Sequence, residues 1–187
     1  MQLYKKLNLP DSLISKIKDA TLNEMSNLNL ASAQLHFLKD PVFILNRYFI
    51  ENNINIPLIR SCILFHRPGN YPQALHLDCN NDDPPKIMNC AINIPIANCE
   101  DSYMEWYDGN YSTSVNASTG PDGIIRKFID LKWGDHPRLL DKTIIDSPTL
   151  VRIGLPHKVS VVDKTRSLIT LRFQNNPAFE DICNLVF

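Results

Sequence analysis

With 187 residues, 44% hydrophobic and 21% charged, the chain has the composition of one ordinary globular domain with a sizeable core. Nineteen basic against twenty acidic residues leave a net charge of −1, without the broad basic field that avid nucleic-acid binding uses, and no run of about eighteen apolar residues suits a membrane span. Five cysteines, Cys62, Cys79, Cys90, Cys99 and Cys183, are odd in number and lack Cys-x-x-Cys spacing, which argues against a disulfide framework or structural zinc and reads as reduced thiols in a soluble, cytoplasmic protein.

In chain order, Pro10-Asp11-Ser12 starts a helix that carries Leu13, Ile14, Ile17 and Ala20 at helical spacing, with Asp11 or Ser12 as cap. A second helix begins at Asp40-Pro41, where Asp40 caps and Pro41 takes the first helical position, and it carries Val42, Ile44, Leu45, Tyr48 and Phe49. His36 falls in this helical region. From Pro57 the texture changes to short apolar runs separated by Pro, Gly, Asn and Asp, the pattern of a sandwich or barrel. Strands are expected near 58–66, 72–78, 87–95, 103–107, 143–146, 149–154, 157–162 and 166–173, with a closing helix over 179–186. The segment 109–142, punctuated by Gly109, Gly120, Pro121, Gly123, Gly134 and Pro137, reads as a large irregular insertion. Long loops of this kind form lids or binding surfaces, and substrate selectivity is expected there.

The chemistry concentrates in two places. His76-Leu77-Asp78 ends an apolar segment before the polar turn Asn80–Pro85, and in an extended chain residues i and i+2 project from one face. The second place is His157, followed nine residues later (166 − 157) by Arg166. His157, Val159 and Val161 share one face of their segment, and Arg166, Leu168, Thr170 and Arg172 one face of the next. If the two segments pair as a hairpin about the turn at Asp163-Lys164-Thr165, Arg166 reaches the cavity that His157 lines. Two imidazoles and a carboxylate are the facial triad that holds non-haem Fe(II) with positions left open, and a guanidinium offers a planar fork for a carboxylate. Between these places Asn89, Ala91 and Asn93 share a strand face opposite Cys90, Ile92 and Ile94; the amides either line the cavity or face solvent. Trp106 reads as core. His66 and His136 are weaker ligand candidates, and His136 lies in a turn.

The arrangement His-x-Asp, a long gap, then His with Arg at plus nine in an apolar strand resembles the Fe(II)/2-oxoglutarate-dependent oxygenases, over roughly residues 59–173. It is similar to the prolyl-hydroxylase-like and small phage or bacterial branches. The resemblance implies a mainly β fold, a double-stranded β-helix (jelly roll, cupin-like) preceded by N-terminal helices. One oxygenase-like domain over 1–187 would comprise helical support (1–56), a jelly-roll core (57–173) and a C-terminal helix (174–187). It implies Fe(II) on His76, Asp78 and His157, with Arg166 on the distal carboxylate of 2-oxoglutarate and Asn93, Tyr71 or Thr170 adding contacts. Arg172 shares the face of Arg166 and either assists or replaces it. The implied activity consumes O₂ and 2-oxoglutarate and hydroxylates a small molecule or a protein side chain, releasing succinate and CO₂. The gap from Asp78 to His157 and the Thr165 before the arginine depart from the usual pattern. A cupin-like isomerase or binding module would use the same three ligands without needing Arg166.

Overall fold

A computed structural model of the chain describes residues 1–28, 30, 34–70, 73–80, 82–119, 125–161 and 163–185. In chain order the elements are β1 (Tyr4–Lys6), α1 (Asp11–Met25), β2 (Gln34–Leu38), α2 (Asp40–Glu51), β3 (Ile59–Arg67), β4 (Cys90–Ala97), β5 (Ser102–Asp108), β6 (Tyr111–Thr119), β7 (Ile125–Trp133), β8 (Arg138–Ile144), β9 (Thr149–Arg152), β10 (His157–Val161), β11 (Arg166–Phe173) and α3 (Phe179–Leu185). The fold is mainly β. One sheet has the order β1-β9-β4-β11-β3-β2, a second β10-β5-β8, and β6 and β7 form a two-stranded ribbon.

Single bridges link the second sheet to the ribbon. His76 pairs antiparallel with His157 of β10, and Leu77 pairs with Ile129 of β7, so the segment around the His-x-Asp motif lies between them. With that segment counted, the pairings nest. The first core strand, β3, pairs with the last, β11; the His76 segment pairs with β10; β4 pairs with β9; and β5 pairs with β8. The chain is a long antiparallel loop folded back on itself, with the β6–β7 hairpin inserted at its far end.

Alternation along the central strands divides the core. Cys90, Ile92 and Ile94 of β4 and Ile169, Leu171 and Phe173 of β11 pack with Leu13 and Ile17 of α1, Leu45 and Phe49 of α2, and Phe179 and Ile182 of α3. The opposite face presents Ala91, Val151 and Leu168 to Met104 and Trp106 of β5. This is the period of two expected of strands buried on both sides. Trp106 is fully buried; its indole N–H donates to the carbonyl of Arg152 at 2.6 Å and its ring stacks on Tyr4 at 5.8 Å. A buried indole needs such an acceptor, and this one ties β5 to β9 across the two sheets.

Several expectations are corrected. Of the segment 72–78, the described residues 73–78 form bridges only at His76 and Leu77, one to the first residue of β10 and the other to the middle of β7, so no continuous ladder builds there. Strands β10 and β11 do not form a hairpin; each joins a different sheet. The described part of the segment 109–142 is not irregular: Gly109 and Gly134 stand at bends, and the stretches beside them make β6, β7 and most of β8. That last strand starts at Arg138, upstream of the expected 143–146. His36 lies on β2, outside any helix.

The start of α2 also differs. Lys39 occupies the cap position, Asp40 is the first helical residue, and the side chain that satisfies the helix end comes from elsewhere in the chain. The Glu24 carboxylate accepts the backbone N–H of Asp40 at 2.9 Å and of Lys39 at 3.2 Å. Orphan N–H groups at a helix start favour a nearby anion. Glu24→Ala is expected to lower stability by about 1 kcal/mol, the usual worth of a cap; a urea-unfolding midpoint equal to that of the wild type would refute this.

Candidate functional site

The two histidines meet because their backbones do. His76 N–H donates to His157 C=O and His157 N–H donates to His76 C=O, each at 3.0 Å. A residue pair that exchanges both hydrogen bonds puts its side chains on the same face of the sheet, and the imidazole centroids lie 4.5 Å apart. Asp78 follows at i+2, so its carboxylate returns to that face. His76 Nε2 is 3.5 Å from Asp78 Oδ1. One ligating atom from each of His76, Asp78 and His157 lies within 4.8 Å of the others.

Both rings are oriented the same way. Nδ1 of His76 is 3.0 Å from the carbonyl of Ala74, and Nδ1 of His157 is 2.9 Å from that of Leu155. A carbonyl only accepts, so each Nδ1 carries a proton and leaves Nε2 as the ring's available ligand atom. This carbonyl-held tautomer is the support that metal-ligating histidines use. Burial, followed by the neighbouring His76, pushes the His157 imidazole down to about 4 against the opposing pull of Asp78, so it is neutral at pH 7. Burial alone would raise the Asp78 carboxyl; the Arg172 guanidinium and the two imidazoles outweigh it and hold it well below the usual carboxylate range. The donor set is two imidazoles and one carboxylate, which fits a divalent first-row transition metal.

Asp78 has a committed partner. Arg172 Nη2 lies 3.1 Å from Asp78 Oδ2, and Nη1 donates to the carbonyl of Cys79 at 3.0 Å. Oδ2 is thereby held by the arginine, while Oδ1 faces the histidines. Arg172 is thus occupied, and the two arginines on this face of β11 divide their tasks.

Arg166 is different. It is 3% exposed and no ion pair to it occurs among the described residues; its Nε, like that of Arg172, has no hydrogen-bond partner among them. Burial pushes its pKa down, with Cys99 opposing. It lines the same cleft as His76, Asp78 and His157, along with Gln73, Asn93 and Thr170 and the apolar side chains of Phe65, Met104, Ile153, Val159 and Leu168. Asn93 therefore turns inward, while Asn89 stays outside the cleft and donates its amide N–H to the carbonyl of Asn176 at 3.0 Å. Thr170 Oγ1 donates to Asn93 Oδ1 at 2.8 Å, and the Asn93 amide nitrogen has, among the described residues, only Met104 Sδ at 3.9 Å.

Tyr71 lies outside the described residues. His66 sits away from the cluster, with Nδ1 2.9 Å from Ser167 Oγ, and His136 is exposed. Sequence reasoning missed two supports. Gln73 Oε1 accepts Val159 N–H at 2.6 Å and fastens the His-x-Asp segment to β10; no spacing signals it. The Arg172–Asp78 ion pair was within reach, because Arg172 was placed on the Arg166 face.

The chain matches no family model, no curated protein and no solved structure. Its chemistry is therefore read from the side chains themselves.

The proton balance of the site sets a pH dependence. The unfolded chain protonates an ordinary histidine below about pH 6.5, whereas folded His157 stays neutral to about 4. The unfolded state thus binds more protons in that window, and stability falls as the pH drops through it, by up to about 3 kcal/mol. Asp78, depressed in the fold, adds a loss of the same sign at lower pH, below about 4. Urea unfolding of metal-free protein should show the higher-pH part of the loss between pH 7 and 4.5 for the wild type and a smaller loss for His157→Gln, which keeps the burial-depressed His66. Equal losses in both proteins would refute the assignment.

Proposed function

We propose that this protein is an Fe(II)- and 2-oxoglutarate-dependent dioxygenase that hydroxylates a small molecule or a protein side chain. The observation that carries the reading is the buried Arg166 guanidinium, without a counter-ion among the described residues, lining one cleft with a His-Asp-His cluster. A buried charge left unpaired costs several kcal/mol, and a ligand carboxylate removes that cost. Nested antiparallel pairing with core strands that alternate between two sheets supports a double-stranded β-helix.

In this reading His76 Nε2, His157 Nε2 and Asp78 Oδ1 hold Fe(II). Bound there, the metal with O₂ and 2-oxoglutarate supplies oxidative decarboxylation to succinate and CO₂ coupled to hydroxylation of a C–H bond. The chain's own part is placement. Arg166 takes the distal carboxylate of the oxo acid as a charge-assisted pair. The Asn93 amide, held by Thr170, offers a donor beside it, and Arg172 keeps the Asp78 carboxylate oriented and ionised. Phe65, Met104, Val159 and Leu168 exclude water. The cleft encloses about 30 Å³, less than a five-carbon diacid occupies, so lining side chains shift to admit one. Met104, with three rotatable bonds, moves most easily.

That small volume is also what favours the second reading, a cupin-like metal site that binds no oxo acid. Anaerobic Fe(II) titration separates the two. The oxygenase should give a weak visible charge-transfer band that needs both Fe(II) and 2-oxoglutarate. Asp78→Ala should abolish it, and Arg166→Ala should demand at least about tenfold more 2-oxoglutarate, the equivalent of about 1.4 kcal/mol. Metal binding with no band in the wild type would favour the cupin-like reading.

A further inference from the structure

Sheet edges expose unpaired N–H and C=O groups, and proteins blunt them by shortening or charging them. Among the described residues, two edges follow that rule: strand β1 is three residues long and carries Lys5 and Lys6, and β8 carries Arg138, Asp141 and Lys142. A third, β2, is uncharged but only five residues long. The longest edge is neither short nor charged. Strand β6 is nine residues, Tyr-Ser-Thr-Ser-Val-Asn-Ala-Ser-Thr, with no charge, no proline and no glycine, in a chain that is 21% charged. Among the described residues it pairs only with β7, and the charges of the hairpin, including Lys127, Asp130 and Lys132, sit on that inner partner. Ser112, Thr113, Val115, Asn116 and Ala117 are exposed, Val115 at 55%.

We propose that two copies of this chain associate by antiparallel pairing of β6 with β6 about a two-fold axis at Val115, giving a continuous four-stranded β7-β6-β6-β7 sheet. The strand fits itself. In that register Val115 faces Val115 of the second copy, Ser114 faces Asn116, and Thr113 faces Ala117. Each pair is small and uncharged, so nothing repels where like charges would forbid self-pairing. An isologous contact also satisfies both copies' free backbone groups with one surface patch. It covers the exposed valine at the centre. An unrelated extended peptide would gain the same backbone bonds, but nothing along β6 provides a pocket or charge to select one. The contact is smaller than a standard interface, so the dimer is weak, with a dissociation constant on the order of 10 µM. The inference does not depend on the proposed activity.

The test is sedimentation velocity of the full chain from about 1 µM to about 200 µM, a range that brackets this affinity. The wild type should shift from monomer to dimer across the series. Val115→Lys and Val115→Glu should each weaken association at least about tenfold, with unchanged circular dichroism and thermal midpoint because the side chain is exposed. An equimolar mixture should recover the dimer, since Lys and Glu then stand directly opposite. Thr113→Lys carries the same test should either Val115 variant melt early. A wild type that stays monomeric, variants that dimerise like it, or a mixture that does not recover would each overturn the proposal.

Discussion

The two hydrogen bonds exchanged between His76 and His157 hold the candidate site together. They join residues 81 positions apart (157 − 76) and fix which faces those residues present. A one-residue slip in this pairing would turn one imidazole to the opposite face of the sheet. The Gln73–Val159 hydrogen bond on one side and the Leu77–Ile129 bridge on the other hold that register. A short segment with only isolated bridges is thereby placed as firmly as a strand.

The second constraint is the charge arrangement on β11. Arg166 and Arg172 share a face, with Leu168 and Thr170 between them; Arg166 lines the cleft, whereas Arg172 meets it only through its ion pair with Asp78. Arg172 offsets the burial of Asp78, so the carboxylate remains an anion in a place that would otherwise protonate it. Among the described residues Arg166 has no such partner. The strand thus carries one cation paired with a carboxylate and one that is not, and the second lines the cleft.

Much of this was legible in the chain. The i, i+2 placement of His76 and Asp78 follows from an extended backbone whether or not a full strand forms, so the motif held although strand 72–78 did not. The inward turn of Asn93 came from simple alternation along β4, though only burial by Trp106 and Met104 decided which face was inward. What the sequence concealed was pairing. Nothing local says that β10 and β11, separated by only the four residues 162–165, belong to different sheets, because partner choice is a long-range property. The hairpin β6–β7 was hidden by its composition: Ser, Thr and Asn on one strand and charges on the other resemble a loop until they are paired. The Glu24 cap was illegible for the same reason, since it reaches Asp40 across 16 residues (40 − 24).

The nested pairing has a consequence for how the molecule assembles. Strand β3 waits for β11, more than a hundred residues later at the Ile59–Phe173 end (173 − 59 = 114), and the His76 segment waits for β10. Contacts this distant in sequence come late and slowly, because loop-closure entropy is spent before they repay it. The three candidate metal ligands therefore do not exist as a set in any partly folded form that lacks the last two strands. A metal that binds them binds only the completed topology and stabilises it by mass action. During synthesis, the same ion would find nothing to hold until residues 157–173 had emerged.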